Sequence, residues 1–356
     1  MSPIRKYVIS VVVLGVYLAA CTGANLPTTP TQPVEKTQLP TGTNTPAAFT
    51  PTQPSSTLQP SLAPTASSTP TSLPSATLTA APSATPVGGS GVILFASNRG
   101  GSYLDLYLLD ITSQQITRLT SGDSNTFPGP FSPDGAQLLF TGFGLVHSYI
   151  GVMNADGSQV RDLTNNPDVD EGFPAWSLDG KQIAFTSNRD GNNEIYVMNL
   201  DDMQLKRLTN QPGDDFAPAW SPDGKQIAFV SDRNNPTGIN NLYIMDVDGA
   251  HVTRLTDATE NDYSPAWSPD GSQIAFRAHH DGPADIYLIH PDGSGLVNIT
   301  NDPAEDWAPN WSPDGSLLAF QSDRDGNWEI YLIHRDGSGV ENLTQNPADD
   351  QMPYWK

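Results

Sequence analysis

A repeat of about 44 residues fills most of this chain and restricts its fold more than any other feature. One aromatic residue marks each unit, and successive markers lie 45, 44, 47, 44 and 44 residues apart. The markers are Phe131, Trp176, Trp220, Trp267, Trp311 and Trp355. No unit shows a sustained helical period, and a repeat of this length built from short strands is typical of a propeller blade.

One unit illustrates the strands that the pattern predicts. Ala217–Trp220 is a short strand, and the turn of residues 221–224 (SPDG) follows because proline presets φ and glycine closes the turn. Gln226–Ser231 is an apolar run that we expect to be buried on both faces. Asn241–Asp246 and Val252–Thr256 complete a blade of four strands.

The two ends of the repeat region complement each other. Five full units begin near Phe127, Phe173, Phe216, Tyr263 and Trp307. The segment from Val92 supplies a second, third and fourth strand, whereas the terminal sequence MPYWK supplies only a first strand. The sequence therefore predicts an all-β, six-bladed β-propeller of four-stranded antiparallel blades. We expect the C-terminal strand to close it by pairing with Val92–Ser97, which removes exposed sheet edges.

The repeat resembles a known family. The segments PAWSPDGKQIAF, SNRDGNNEIYVMN and RLT resemble the TolB-type, WD-like propeller repeat over about residues 92–356. The resemblance implies an extracytoplasmic binding propeller, with a Tol–Pal-like component of envelope integrity as an alternative. TolB also has an N-terminal α/β domain, and this chain has a segment of different composition at that place.

The first ninety residues predict a membrane anchor and a linker. A short basic and apolar segment ends in Leu18-Ala19-Ala20-Cys21, which resembles a bacterial lipobox. This implies a lipoprotein signal peptide at 1–20, cleavage before Cys21, and acylation of Cys21 by palmitate-type chains. Residues 21–90 comprise this cysteine and a Thr-, Pro- and Ser-rich stalk whose composition predicts disorder, and the propeller follows at 91–356. We expect a monomer in the cell envelope, lipid-anchored to the outer face of a membrane, either periplasmic or at the cell surface.

The charge excludes one class of partner. The formal net charge is −22, and residues 91–356 carry 14 basic and 38 acidic side chains, a net of −24. Nucleic-acid binding requires a basic surface, so DNA and RNA are excluded as expected partners. The single cysteine excludes an internal disulfide.

Acidic residues stand five positions before five of the six aromatic markers, with Thr126 in the sixth place. Symmetry predicts that they surround one mouth of the central channel. They are Glu171, Asp215, Asp262, Asp306 and Asp350. We expect a binding site there with Trp307 and Trp328, and a calcium site is an expectation at Asp214, Asp215, Glu305 and Asp306. The alternative is structural pairing of these acids with Arg99, Arg189, Arg233 and Arg324.

The sequence predicts recognition, not catalysis. It contains no Gly-x-Ser-x-Gly nucleophile turn, and its SPDG turns differ from sialidase Asp-boxes, in which another residue separates Asp from Gly. We therefore predict no catalytic residue, and expect binding of a protein, peptide or glycan outside the cytoplasm. The main alternative is a carbohydrate-active hydrolase that uses carboxylates of the channel mouth as acid and base.

Overall fold

A computed structural model describes residues 91–356, except 145, 236 and 281. The predicted signal peptide, the lipidated Cys21 and the stalk lie outside these described residues, and so remain predictions. Within the described part of the chain no helix is long and apolar enough to span a membrane.

The described residues form six four-stranded antiparallel sheets, which are the blades of a propeller. The chain enters through three strands, which are β1 (Val92–Ser97), β2 (Asp105–Asp110) and β3 (Gln115–Arg118). Blade 1 follows with β4 (Thr126–Phe131), β5 (Gln137–Phe143), β6 (Ser148–Asn154) and β7 (Arg161–Asp162). Blade 2 contains β8 (Glu171–Trp176), β9 (Gln182–Ser187), β10 (Glu194–Asn199) and β11 (Leu205–Arg207).

The remaining blades repeat the same order of strands. Blade 3 contains β12 (Asp215–Trp220), β13 (Gln226–Ser231), β14 (Asn241–Asp246) and β15 (Thr253–Arg254). Blade 4 contains β16 (Asp262–Trp267), β17 (Ile274–Ala278), β18 (Asp285–Ile289) and β19 (Val297–Asn298). Blade 5 contains β20 (Asp306–Trp311), β21 (Leu317–Ser322), β22 (Glu329–His334) and β23 (Glu341–Asn342). The chain ends in β24 (Asp350–Trp355).

Blade 6 is built from both ends of the repeat region, as the sequence predicted. Its strands lie in the order β24-β1-β2-β3. Antiparallel pairing places Ile93 opposite Trp355 and Leu94 opposite Tyr354. The closure is therefore confirmed, and β1 gains a partner on the side that would otherwise be an open edge.

Every innermost strand contains a bulge next to the propeller axis. The ladder between β12 and β13 is regular at Phe216 and resumes at Ala219, which leaves Ala217 and Pro218 outside it. The residue at the first of these two positions, called here the bulge residue, has a positive φ of 52° to 55° in blades 2 to 6. The bulge residues are Phe173, Ala217, Ser264, Ala308 and Met352. The aligned residue of blade 1 is Pro128, which stays in the ladder opposite Phe140, and the irregularity follows it. A positive φ does not occur at this residue, because a proline ring fixes φ at a negative value.

The apolar core lies between neighbouring blades. The second strands are almost wholly buried, as the burial of Ile227 to Ser231 in β13 illustrates. Side chains from adjacent blades form shared clusters, for example Val230 and Leu242 of blade 3 with Phe276 and Ile289 of blade 4. The aromatic markers join this packing, since Trp267 and Trp311 each donate an indole N–H to the inner strand of the preceding blade. Each blade is thus stabilised mainly by its neighbours, and ring closure completes the core.

Candidate functional site

The acidic residues predicted at the channel mouth begin the innermost strands, but the structure places them beneath the surface. Glu171 is 1% exposed, and Asp215, Asp262, Asp306 and Asp350 are 0% exposed. Burial of an ionised carboxylate without a partner is costly, so their surroundings must supply donors or positive charge. The structure brings these residues together at one end of the propeller, each within its own blade.

In blades 2, 3, 5 and 6 the partner is an arginine two residues after a serine, an arrangement called here the Arg–carboxylate clamp. The pairs are Arg189–Glu171, Arg233–Asp215, Arg324–Asp306 and Arg99–Asp350. The pairing that the sequence left as an alternative is therefore present in the structure. Direct ligand binding by these carboxylates stays a prediction, and it would require a ligand to compete with the arginines.

The clamp of blade 3 shows how the sequence Ser-x-Arg builds this arrangement. Ser231 Oγ accepts hydrogen bonds of 3.0 Å from both the backbone N–H and Nε of Arg233. Nη2 of Arg233 then donates to Oδ2 of Asp215 at 2.5 Å. The guanidinium lies 4.9 Å from the ring centroid of Phe229 and 5.4 Å from that of Tyr243. The serine therefore orients the arginine, and the two rings shield its guanidinium from water.

Burial raises the pKa of Asp215 and of Asp306. Desolvation raises the pKa of Asp306 to about 6, although hydrogen bonds from Ser322 and the charge of Arg324 oppose the shift. The pKa of Asp215 is raised in the same way to about 6, against the opposing charge of Arg233. The direction follows from removal of water, which disfavours the charged form.

The residues that precede the buried acids have a separate structural role. In each blade an oxygen of this side chain accepts a backbone N–H from the loop of the preceding blade. The accepting residues are Asn125, Asp170, Asp214, Asn261, Glu305 and Asp349. No group of three or more His, Cys, Asp or Glu side chains suited to a metal occurs among the described residues. Oxygens of Asp214, Asp215, Glu305 and Asp306 are used in protein contacts, and calcium binding there stays a prediction.

Blade 4 departs from the clamp. Ala278 stands where blades 2, 3, 5 and 6 have the serine, and His280 stands where they have the arginine. Asp262 is held instead by Nε2 of His280 at 3.3 Å and by the hydroxyl of Thr256 at 2.5 Å. Burial raises the pKa of Asp262, with the contacts to His280 and Thr256 opposing the shift. The partner of the acid in this blade is thus a histidine, which is charged only when protonated, in place of a permanently charged arginine.

The channel cavity lies on the propeller axis, inside the ring of bulges. Its volume is about 100 Å³. Its wall contains the bulge residues of blades 2 to 6 and the prolines that follow them, which are Pro174, Pro218, Pro265, Pro309 and Pro353. The wall is apolar except for a few side chains, of which Arg277 of β17 and Gln321 of β21 are the longest.

The two tryptophans predicted to bind a ligand lie near this cavity in different settings. Trp307, the second residue of β20, lines the cavity and is only 1% exposed, with its indole N–H donated to Glu305. Trp328 is half-buried, and its ring centroid lies 5.0 Å from that of Trp307. Trp307 is therefore part of the cavity wall, and Trp328 supports it from the side.

The sequence analysis overlooked Arg277 and the ring of prolines. Alignment of the repeats could have identified Arg277, because the residues at this position in the other blades are all uncharged. They are Ala96, Thr141, Thr186, Val230 and Gln321. Arg277 is 3% exposed, and its guanidinium carbon lies 4.0 Å from the ring centroid of Trp307. A buried cation in an otherwise apolar wall is the chemical feature that distinguishes this cavity.

Comparisons with known proteins agree with the observed architecture. The family model for the TolB beta propeller domain matches residues 157–264 and 256–356, which together span more than half of the chain. The crystal structure of TolB from Acinetobacter baumannii is similar at 24% identity with a TM-score of 0.65, over 75% of this chain and 66% of that one. This chain thus spans slightly less than two thirds of that protein.

Two further solved structures are similar over most of the described residues. Putative TolB from Agrobacterium tumefaciens is 26% identical with a TM-score of 0.50, covering 64% of this chain and 95% of that one. Hydrazine synthase from Kuenenia stuttgartiensis is 16% identical with a TM-score of 0.58, covering 75% of this chain and 47% of that one. At such identities the likeness to the Acinetobacter and Kuenenia proteins concerns the fold alone.

Proposed function

This chain belongs to the TolB beta propeller domain family, and from that premise we propose that it is a non-catalytic recognition protein of the cell envelope. In this proposal the propeller binds a peptide segment of a protein partner at the channel end that carries the clamps. A lipid anchor at Cys21 would hold it at the outer face of a membrane, with the partner outside the cytoplasm.

The observation that carries the proposal is the form of the channel cavity. Pockets that enclose whole small ligands have volumes of roughly 300–1,000 Å³. The cavity measures about 100 Å³, which suits one side chain or one chain end but not a whole sugar ring with its neighbours. Its proline-rich wall, with Trp307 and Met352, offers apolar contact to such a group. Among the partners expected from the sequence, a peptide therefore fits better than a glycan.

The alternative of a carbohydrate hydrolase has one observation in its favour, the raised pKa values of Asp215 and Asp306. A general acid must also lie within hydrogen-bond reach of the bond that it protonates. Both side chains are 0% exposed, and an arginine holds each one. Recognition without catalysis is thus better supported by the surroundings of these acids.

The test is selection of binding peptides from a random synthetic library, using the purified full chain and a variant with a filled channel. Ser264→Phe suits this purpose, because Ser264 lines the cavity at a positive φ and the equivalent residue of blade 2 is Phe173. The fold already accepts that side chain in that conformation. We expect peptides to bind the natural chain and to lose at least about tenfold in affinity with the variant, equal to about 1.4 kcal/mol.

The matched control is Leu178→Phe, which adds aromatic surface at a side chain that is 56% exposed in a turn at the opposite end of the blade. This control should leave peptide affinity unchanged, and thermal melting should show that both variants fold. Failure to select any peptide would contradict the proposal. Equal binding by the Ser264→Phe protein would also contradict it, because the site would then lie elsewhere.

A further inference from the structure

One position of the repeat connects each second strand to the bulge of the next blade. In β9, Oγ1 of Thr186 accepts the backbone N–H of the bulge residue Ala217 at 3.0 Å. In β21, Oε1 of Gln321 accepts the N–H of the bulge residue Met352 at 2.8 Å. In these two blades the side chain at this position therefore contacts the channel wall of the following blade, and its oxygen satisfies the bulge amide.

Arg277 occupies this position in β17, opposite Tyr263 in the strand ladder. A guanidinium has five donors and no acceptor, so Arg277 cannot accept the amide of Ala308, the bulge residue of the next blade. The repeat thus brings a positive charge and a backbone donor to the junction of blades 4 and 5. Both Arg277 and Ala308 line the channel cavity.

Gln321 adds a further donor from blade 5. Gln321 is 0% exposed and lines the same cavity. Its oxygen is used by Met352, while Nε2 has no hydrogen-bond partner among the described residues. A buried amide donor left without an acceptor costs free energy, which a bound acceptor would recover.

From the buried charge of Arg277 and the amide donor of Gln321 we propose that the channel cavity binds a carboxylate of the partner peptide at these two side chains. The inference rests on the proposed function, since it names the group that the peptide inserts. A volume of about 100 Å³ is several times the roughly 10–15 Å³ that a cavity needs to hold one water, and this leaves room for the four heavy atoms of a carboxymethyl group. The propeller's net charge of −24 disfavours a phosphate, whose charge approaches −2, more strongly than a carboxylate.

Aspartate and glutamate side chains and a peptide C-terminus all supply this group, and two libraries separate these sources. In the first library the peptides are acetylated and amidated, so that only Asp and Glu carry carboxylates. In the second library the C-terminus is free and Asp and Glu are omitted. We expect selection from one of the libraries to yield binders for the full chain. Calorimetry then compares each binder with its Asn, Gln or amidated counterpart, which should bind about 10- to 100-fold more weakly.

Arg277→Thr is the informative variant, because threonine is the natural residue at this position in blades 1 and 2. Its hydroxyl can accept the Ala308 amide, so we expect the variant to fold with unchanged or higher thermal stability. It should bind the carboxylate peptide and its neutral counterpart equally. Gln321→Leu, a second and independent variant, should reduce the preference for the carboxylate peptide over its neutral counterpart several-fold. Val230→Thr at the same position in blade 3 is the control and should retain it.

The outcomes separate the two proposals. If peptides bind but neutral counterparts bind the natural chain equally well, the carboxylate inference is wrong while the proposed function stands. Retention of the full preference by Arg277→Thr would also overturn the inference. If neither library yields a binder, the proposed function fails and the inference falls with it. The comparison of paired peptides on the natural chain needs no variant, so it decides the matter even if a variant does not fold.

Discussion

Replacement of Arg233 by methionine should test whether the Arg–carboxylate clamps stabilise the propeller. The variant keeps an apolar stem between Phe229 and Tyr243 and removes the charge that faces Asp215. Asp215 is 0% exposed and would remain in place without its cation. Loss of one partner of a buried ion pair costs about 3–5 kcal/mol, because the remaining charge is uncompensated.

The assay is urea unfolding followed by circular dichroism at pH 8, with thermal melting as a second measure. For a domain of this size the loss corresponds to a decrease in melting temperature of roughly 6–20 °C. The matched control is Lys225→Met, which removes the exposed ion pair between Lys225 and Asp223, where the side chains are 79% and 55% exposed. Exposed pairs contribute about 1 kcal/mol at most, so the control should unfold almost like the natural chain.

The pH dependence of this loss gives a second, independent signature. Asp215 has a folded pKa raised to about 6, against a reference value of 3.8, and Arg233 opposes the rise. Removal of Arg233 raises the folded pKa further, so the folded variant binds more protons than the unfolded chain between these values. Its stability therefore increases as the pH falls from 8 towards 4, and its deficit relative to the natural chain should shrink.

Addition of Asp215→Asn to the variant should recover most of the loss at pH 8, because the buried charge is then absent. A loss below about 1 kcal/mol for Arg233→Met would contradict the reasoning, since burial without a cation would then be tolerated. An equal deficit at pH 5 and pH 8 would contradict it as well, because the charge on Asp215 would not be its cause.

Three further predictions concern closure, acid sensitivity and anchoring. Deletion of residues 350–356 removes β24 and exposes the edge of β1, so we expect aggregation in size-exclusion chromatography and no cooperative melting. The hydroxyl of Ser268 helps to hold the pKa of Asp270 well below its reference value of 3.8, a contribution fully present above 3.8 and lost as the pH falls through the lowered pKa; Ser268→Ala should therefore lower the melting temperature at pH 7, and this deficit should shrink as the pH falls below 3.8. Cys21→Ser should abolish incorporation of labelled palmitate in the expressing bacterium, and undiminished labelling would contradict the predicted anchor.

The fold was predictable because each unit of the repeat carries its own strand and turn signals. The predicted second and third strands of blade 3 match β13 and β14, and the pairing of Leu94 with Tyr354 confirms the closure. The inner strand was predicted from Ala217 but begins at Asp215, because Asp215 pairs with Ser231 in the ladder. An aspartate has low strand propensity, and only the clamp makes its burial in the sheet acceptable.

The location of the carboxylates was predictable from the sequence, but their surroundings were not. Symmetry correctly brought the carboxylates to one end of the propeller, since equivalent residues of a ring must share a face. The burial of the carboxylates could not be predicted from the sequence, because it depends on Ser-x-Arg segments that fold back across the sheet. Ser231 and Arg233 do so over Asp215. Trp307 was expected at the channel mouth, and it lies within β20 with 1% exposure.

In a ring of near-identical units, the residues that every unit shares are explained by the ring itself. Clamps, bulges and capping side chains recur because each blade must bury its inner edge against the next one. Recognition of one particular partner requires residues that differ between the units, since a symmetric site would offer the same chemistry in six orientations. The departures from the repeat at Arg277, Ala278 and His280 lie together in blade 4, beside Trp307 of blade 5. Blade 1 departs from the repeat as well, with Thr126 and Gly142 in place of the acid and the serine. Among these departures Arg277 brings a charge to the channel wall, so blade 4 is where specificity for a partner is best sought.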